Sequence, residues 1–113
     1  MTRGTKGEGM NEFIAVLEEG EVEGGAMRAV EVDGTPVVVS RSEGGEVCAI
    51  ANRCTHMGGP LAGGEREGDT VSCPWHGSRF DLCSGEVLRG PAGEPQRRFE
   101  ARVRAGKIEV RAP

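Results

Sequence analysis

The stretch EVCAIANRCTHMGGP, residues 46–60, runs from an apolar segment straight into Cys54, His56 and the pair Gly58-Gly59. Its first half is entered through Gly44-Gly45 and reads as a strand, so the strand end delivers Cys54 into a glycine-rich loop. A second stretch, SCPWHGSRF at residues 72–80, repeats the arrangement with Cys73, His76 and then Gly77. The chain has only 2 histidines, and both stand close behind a cysteine in such a loop.

The surroundings of the two loops are strand-like. AMRAVEV (26–32) and TPVVVSR (35–41) flank Asp33-Gly34, a pair suited to a two-residue hairpin turn because both positions then take positive φ. FIAVLEEGEV (13–22) opens apolar and closes on acidic turn residues. A turn at Gly68-Asp69 predicts a short strand leading into Cys73, and SRFDL (78–82) follows the second loop. Ser84-Gly85 predicts a turn before another short strand. From Arg97 to Ala112, Phe99, Ala101 and Val103 alternate with charged residues, Gly106 breaks the run, and Ile108 and Val110 resume it. That pattern predicts a two-stranded hairpin with one buried face. No window carries a helical stripe of useful length. The expected fold class is all-β, an antiparallel sandwich or barrel of short strands.

The 113 residues suit one domain, 1–113, in which residues 1–11 read as a flexible N-terminal extension and Met10 as a second candidate start. With 19 glycines and 6 prolines but no collagen-like repeat, the composition fits dense turns between strands. A net charge of −4 lacks the basic surface that nucleic-acid binding requires, so no nucleic-acid partner is expected. No apolar run approaches the roughly 20 residues that cross a bilayer, and MTRGTKGEGM lacks the apolar core of a secretory signal. A cytoplasmic protein without membrane contact is the expectation. In that reducing compartment the 4 cysteines are expected as metal ligands or buried thiols rather than disulfides.

Cys54, His56, Cys73 and His76 form Cys-x-His, a gap of 16 residues, and Cys-x-x-His. Two thiolates and two imidazoles complete a tetrahedral zinc site. They fit equally a [2Fe–2S] cluster held by two cysteines on one iron and two histidines on the other. Glycine in both loops lets backbone come close and aim N–H groups at inorganic sulfide. Zinc knuckles use tighter ligand pairs and shorter links than these.

Taken together, CTHMGGPL (54–61) and CPWHGSRFD (73–81) resemble the Rieske [2Fe–2S] family, above all the ferredoxins that serve ring-hydroxylating oxygenases. The similarity continues through GEVLRGPAGEP (85–95) and the final hairpin, from about Phe13 to Arg111. This resemblance implies a Rieske-type antiparallel β-sandwich or barrel with a small two-loop cluster-binding lobe, at about residues 52–84, and one cluster per chain. It assigns Cys54 and Cys73 to the inner iron, and His56 and His76 to the outer, more exposed one. The implied activity is one-electron transfer rather than catalysis, from a flavin-dependent reductase to a terminal non-haem iron oxygenase. A related alternative is the small subunit of an assimilatory nitrite reductase, partnered by its large subunit. Outside the family, the alternative is a structural zinc-binding interaction module.

Departures from the respiratory members of the family bear on the potential. Those proteins carry an extra cysteine in each loop, joined as a disulfide, where this chain has Gly59 and Trp75. They also have a tyrosine where Phe80 stands, so one hydroxyl donor to a cysteine sulfur is lost, while Ser78 is kept as a donor to a bridging sulfide. Hydrogen bonds to sulfur stabilise the reduced state, which places the expected potential in the lower half of the Rieske range of about −150 to +300 mV. Gly77 continues the second loop, Pro60 and Pro74 stiffen the two loops, and Trp75 shields the cluster or offers a contact surface. Cys48, in the apolar register of its strand, and Cys83, near a turn beside the second loop, are expected as packed thiols rather than as a disulfide.

Overall fold

At the Asp33-Gly34 turn both residues take positive φ, 51° and 81°, which matches the right-handed twist of the strands it joins. Those strands are β2 (Met27–Val32) and β3 (Thr35–Arg41), paired from Val32↔Thr35 out to Met27↔Ser40. The computed structural model describes residues 12–112, so the extension expected over 1–11, with Met10, lies outside the described residues.

Among the described residues, ten strands make two antiparallel sheets. The larger contains β1 (Ile14–Glu18), β2, β3, β4 (Val47–Ala51), β9 (Arg98–Arg104) and β10 (Lys107–Arg111), in the order β1-β10-β9-β4-β3-β2. Its two edges, β1 and β2, also touch each other, so the sheet nearly closes into a barrel. The smaller sheet orders β5 (Arg66–Glu67), β6 (Thr70–Ser72), β7 (Arg79–Asp81) and β8 (Val87–Arg89) side by side. Two 3-10 turns, Glu19–Gly25 and Leu61–Gly63, are the helical segments among the described residues. No helix among them is long and apolar enough to cross a membrane.

The run Val37-Val38-Val39 does not alternate with polar residues because β3 is buried on both faces. Val37 and Val39 point into the barrel with Val22, Val32, Ala49, Phe99, Ile108 and Val110. Val38 points the other way and joins Ile50, Leu61, Val71, Phe80, Leu82 and the thiols of Cys54 and Cys73. On β4, Ala49 and Ile50 divide in the same manner between the two cores. The β3–β4 pair is thus a wall with the barrel on one side and the smaller sheet on the other.

Polar contacts fasten the small sheet to this wall. Arg66 crosses from β5 to donate to the Arg41 carbonyl at the end of β3, and the Glu43 N–H donates to Asp69 Oδ1 at 2.9 Å. At the same end of the wall, where Cys48 pairs with Ser40 next to Arg41, a Cys48–Cys83 disulfide links β4 to the turn after β7. This overturns the expectation of two packed thiols. The Asp81 carboxylate accepts the N–H groups of both Cys83 and Ser84 at 2.8 Å, and so folds that turn back against β4. Only the completed sheet packing brings residues 35 apart in sequence into bonding range.

The terminal hairpin follows its alternation at Phe99, Ile108 and Val110, which are buried, but Val103 is 39% exposed. β4 reaches β9 only at Phe99 and Arg98, so nothing from that strand covers the hairpin's far end.

Ile50, fully buried between wall and small sheet, tests how far the lobe depends on the wall. The Ile50→Ala variant is expected to lose about 2–5 kcal/mol of stability, read from the midpoint of urea denaturation.

Candidate metal centre

β4 ends at Ala51, and Asn52 fixes the direction in which the chain leaves it. The Asn52 N–H donates to the Pro36 carbonyl, its own carbonyl accepts from Leu61, and its Oδ1 accepts from the Ala62 N–H at 2.8 Å. Residues 53–60 are thereby pinched into a loop whose two ends lie side by side, with an isolated bridge between Arg53 and Pro60.

Inside this loop the Cys54 N–H donates to the Gly59 carbonyl at 2.8 Å and the Gly58 N–H to the Cys54 carbonyl at 2.7 Å. The second loop repeats the closure: Cys73 N–H to Ser78 carbonyl at 2.7 Å, and Gly77 N–H to Cys73 carbonyl at 3.0 Å. Gly58 and Gly77 occupy equivalent places with φ of 86° and 81°, where a side chain would strain the backbone. The likeness of the two motifs in sequence is therefore a likeness of backbone geometry.

The second loop leans on the first. A Cβ at Gly59 would stand 2.7 Å from Cys73 Sγ and 3.0 Å from the Trp75 ring. Glycine is required there by close approach rather than by φ, and the cysteine thiol of one loop faces the backbone of the other. Cys54 and Cys73 are free thiols, 3% and 4% exposed, and they rest on Phe80 in the core between the sheets. The imidazoles of His56 and His76 are exposed and meet edge to face, with ring centroids 5.1 Å apart. Buried sulfur thus lies on the inner side and paired nitrogen on the outer. The His56 backbone N–H points at Cys54 Sγ from 3.5 Å.

The expected supporting residues fall around these four. Ser78 is fully buried and its Oγ accepts the Ala92 N–H at 2.9 Å, which leaves its own proton to give. Phe80 is fully buried beneath the thiols. Trp75, next to His76 in sequence, lies over Gly59 yet is 56% exposed, and Met57, next to His56, is 59% exposed, so each histidine adjoins a large apolar residue in contact with solvent. Pro74 is exposed at the base of the second loop, against Gly64 of the first segment.

One residue that matters here carried no signal in sequence. Gln96, in the connection between β8 and β9, is 3% exposed. Its Oε1 accepts the Thr55 N–H at 2.8 Å, and its Nε2 donates to the carbonyls of Ala51 and Arg53 at 2.8 and 2.7 Å. A single amide satisfies three backbone groups, two in the first loop and one at the end of β4 that feeds it. Thr55 Oγ1 adds a donation to the Glu94 carbonyl at 2.7 Å.

The two ligand chemistries place different demands on the four side chains. A tetrahedral zinc with bonds of about 2.0–2.3 Å draws its four ligand atoms to within roughly 4 Å of one another. Among the described residues, the group of three or more ligand atoms mutually within 4.8 Å is Glu46, Cys48 and Cys83, where the two sulfurs are bonded to each other. Cys54, His56, Cys73 and His76 form no such knot. They present instead a sulfur pair and a nitrogen pair, the division that two irons require. The donor set fits a [2Fe–2S] cluster. A polar cleft of about 490 Å³ lies elsewhere, lined by Gly25, Arg41, Ser42, Glu43, Arg66 and Gly68, and includes none of the four.

Comparison with known proteins agrees with this chemistry. The family profile described as Rieske [2Fe-2S] domain matches residues 12–100. The chain belongs to the Rieske [2Fe–2S] family and carries one such cluster. It is 33% identical to apoptosis-inducing factor 3 of Homo sapiens over 87% of its own length, but spans only 16% of that larger protein. It is 35% identical to the 3-phenylpropionate/cinnamic acid dioxygenase ferredoxin subunit of Escherichia coli strain K12, covering 88% of this chain and 89% of that one. Among solved structures, a complex of reduced oxygenase and oxidized ferredoxin in carbazole 1,9a-dioxygenase contains a similar chain, with 30% identity and a TM-score of 0.81 over 88% of this chain and 92% of that one. The relatives of matching length are ferredoxins, electron carriers rather than catalysts.

Two substitutions test the site. Gly59→Ala is expected to lower the iron-to-protein ratio severalfold in a colorimetric assay, because its methyl displaces Cys73 Sγ. Gln96→Leu is expected to cost at least about 2 kcal/mol in thermal unfolding, since it strips partners from three backbone groups at about 1–3 kcal/mol for each one left buried.

Proposed function

We propose that this chain is a Rieske ferredoxin that takes single electrons from a flavin-dependent reductase and delivers them to a terminal oxygenase, with both partners in the cytoplasm. In this reading the chain is one domain, with its metal lobe at about residues 52–84. Cys54 and Cys73 hold the inner iron, and His56 and His76 hold the outer one. The observation that carries the reading is the division of the ligands, with the two free thiols buried against Phe80 and the two imidazoles exposed and paired. When bound, the cluster supplies a one-electron couple whose neutral imidazole ligands leave it less negative, and easier to reduce, than a four-thiolate cluster.

The protein residues do the rest. Backbone and Phe80 keep water from the thiols, while the imidazole edges reach the surface where a partner can approach. Met57 and Trp75 flank that edge with apolar surface that a docking protein can cover. Ser78 is placed to donate one hydrogen bond, and Phe80 offers none where a tyrosine would. The ferredoxin found with its oxygenase in the carbazole system supports an oxygenase as partner. The dioxygenase ferredoxin subunit of Escherichia coli, similar over nearly its whole length, supports the same choice over a nitrite reductase.

The deciding experiment is electron paramagnetic resonance of the dithionite-reduced protein beside an iron and sulfide assay. The low-average-g signal of a histidine-ligated cluster is expected, and it disappears in His56→Ser or His76→Ser. One bound zinc and no iron would sink the reading. Redox titration is expected to give a midpoint in the lower half of about −150 to +300 mV, and Phe80→Tyr is expected to raise it.

A further inference from the structure

The bond between Cys48 and Cys83 encloses both metal-binding loops. Every residue from Cys54 to Ser78 lies inside the covalent ring that it closes, and the ring spans 35 positions of sequence. Cys48 sits on β4, the strand that delivers the first loop, and Cys83 follows β7, the strand that leaves the second. The two strands are clamped together at one end by sulfur and meet at the other through the loops. A closed ring restricts the open lobe more than the folded one, so it keeps the loops near their bound arrangement.

Access to the bond is one-sided. Cys48 is buried at 5% exposure and Cys83 is half-buried. The Glu46 carboxylate lies within 4.8 Å of both sulfurs and is itself exposed. Its charge repels an incoming thiolate and disfavours a departing one. Arg41, at the adjacent end of β3, is engaged with the Gly45 carbonyl and Glu19, and Arg66 with the Arg41 carbonyl, Gly68 and Asp69.

Resting on the Rieske reading above, we propose that Cys48–Cys83 is a thiol-exchangeable clasp on the metal lobe, opened by a protein dithiol that attacks Cys83 Sγ and guarded by Glu46. In the first step the reductant's thiolate bonds to Cys83 Sγ and the bond to Cys48 breaks, releasing a Cys48 thiolate that takes up a proton. In the second step the reductant's other thiol displaces Cys83 and closes its own disulfide. Two electrons and two protons end on Cys48 and Cys83, and the dithiol is oxidised. The opened lobe retains its core packing but loses the ring, so its loops release the cluster more readily.

The test uses the full chain with its cluster, purified without thiols, and dithiothreitol as the probe dithiol. Denaturing alkylation followed by intact mass is expected to find two modified cysteines, Cys54 and Cys73, rising to four after dithiothreitol. Four from the outset would overturn the clasp. Bleaching of visible absorption by an iron chelator is expected to run severalfold faster in the dithiothreitol-treated protein and in the Cys48→Ser/Cys83→Ser variant alike. Equal rates in all three forms would overturn the coupling to the lobe. Hydrogen exchange across residues 48–83, a readout independent of iron, is expected to rise in the same two forms and nowhere else. Glu46→Gln is expected to open roughly two- to fivefold faster at low salt, with the difference fading at high salt. No difference would overturn the guard. A protein with the disulfide but without iron would instead refute the Rieske reading and leave the exchange result to stand on its own.

Discussion

The burial of β3 and β4 on both faces is the constraint from which the rest of the molecule follows. A strand that carries Val37, Val38 and Val39 in succession cannot lie at a surface, because one face or the other would expose branched apolar side chains. Something must cover each side. The near-closed barrel covers one, and the other receives a sheet of strands only two or three residues long. A sheet so small has too little apolar surface to stand alone. It completes its core with the wall, through Val38 and Ile50, and this dependence fixes where its loops can be.

Upon that platform, the metal loops are held almost wholly by backbone groups. Each closes on itself with two hydrogen bonds of the same kind, and neither contains a regular strand or helix. The order this requires is costly for glycine-rich chain, which loses more freedom on folding than any other. Surrounding polar contacts offset that cost: Asn52 at the neck of the first loop, Gln96 across it, and Ser78 with Ala92 behind the second. The electrostatic result is graded. The thiols of Cys54 and Cys73 sit where water is excluded, and the imidazoles of His56 and His76 sit at the surface.

Much of this was legible in the sequence, for reasons that differ from place to place. Asp33-Gly34 announces its hairpin because positive φ at two successive positions is a local demand, met by few residue pairs. The two cysteine–histidine motifs are legible because ligand chemistry restricts residue types and because the loops are near copies. The Cys48–Cys83 bond was not legible, since its partners approach only after two sheets have stacked, and Cys48 in an apolar register looks the same as any small core residue. Nor was Gln96, a polar residue among Gly, Pro and Glu in what reads as an ordinary connection. Its role depends on carbonyls more than 40 positions away. Val103 shows the converse, an apolar residue in correct alternation that ends at a hairpin tip with too little cover.

Gln96 has a consequence for how portable this metal site is. Its side chain serves the first loop, while its backbone N–H donates to Gly85, whose Cβ position is filled by the Gln96 carbonyl. The stretch from Glu94 to Gln96 therefore belongs to the site as much as the two motifs do, although it offers no ligand. A designer who transplanted only residues 52–84 into another scaffold would carry over both cysteine–histidine motifs and leave behind the crossbeam that keeps the first loop shut.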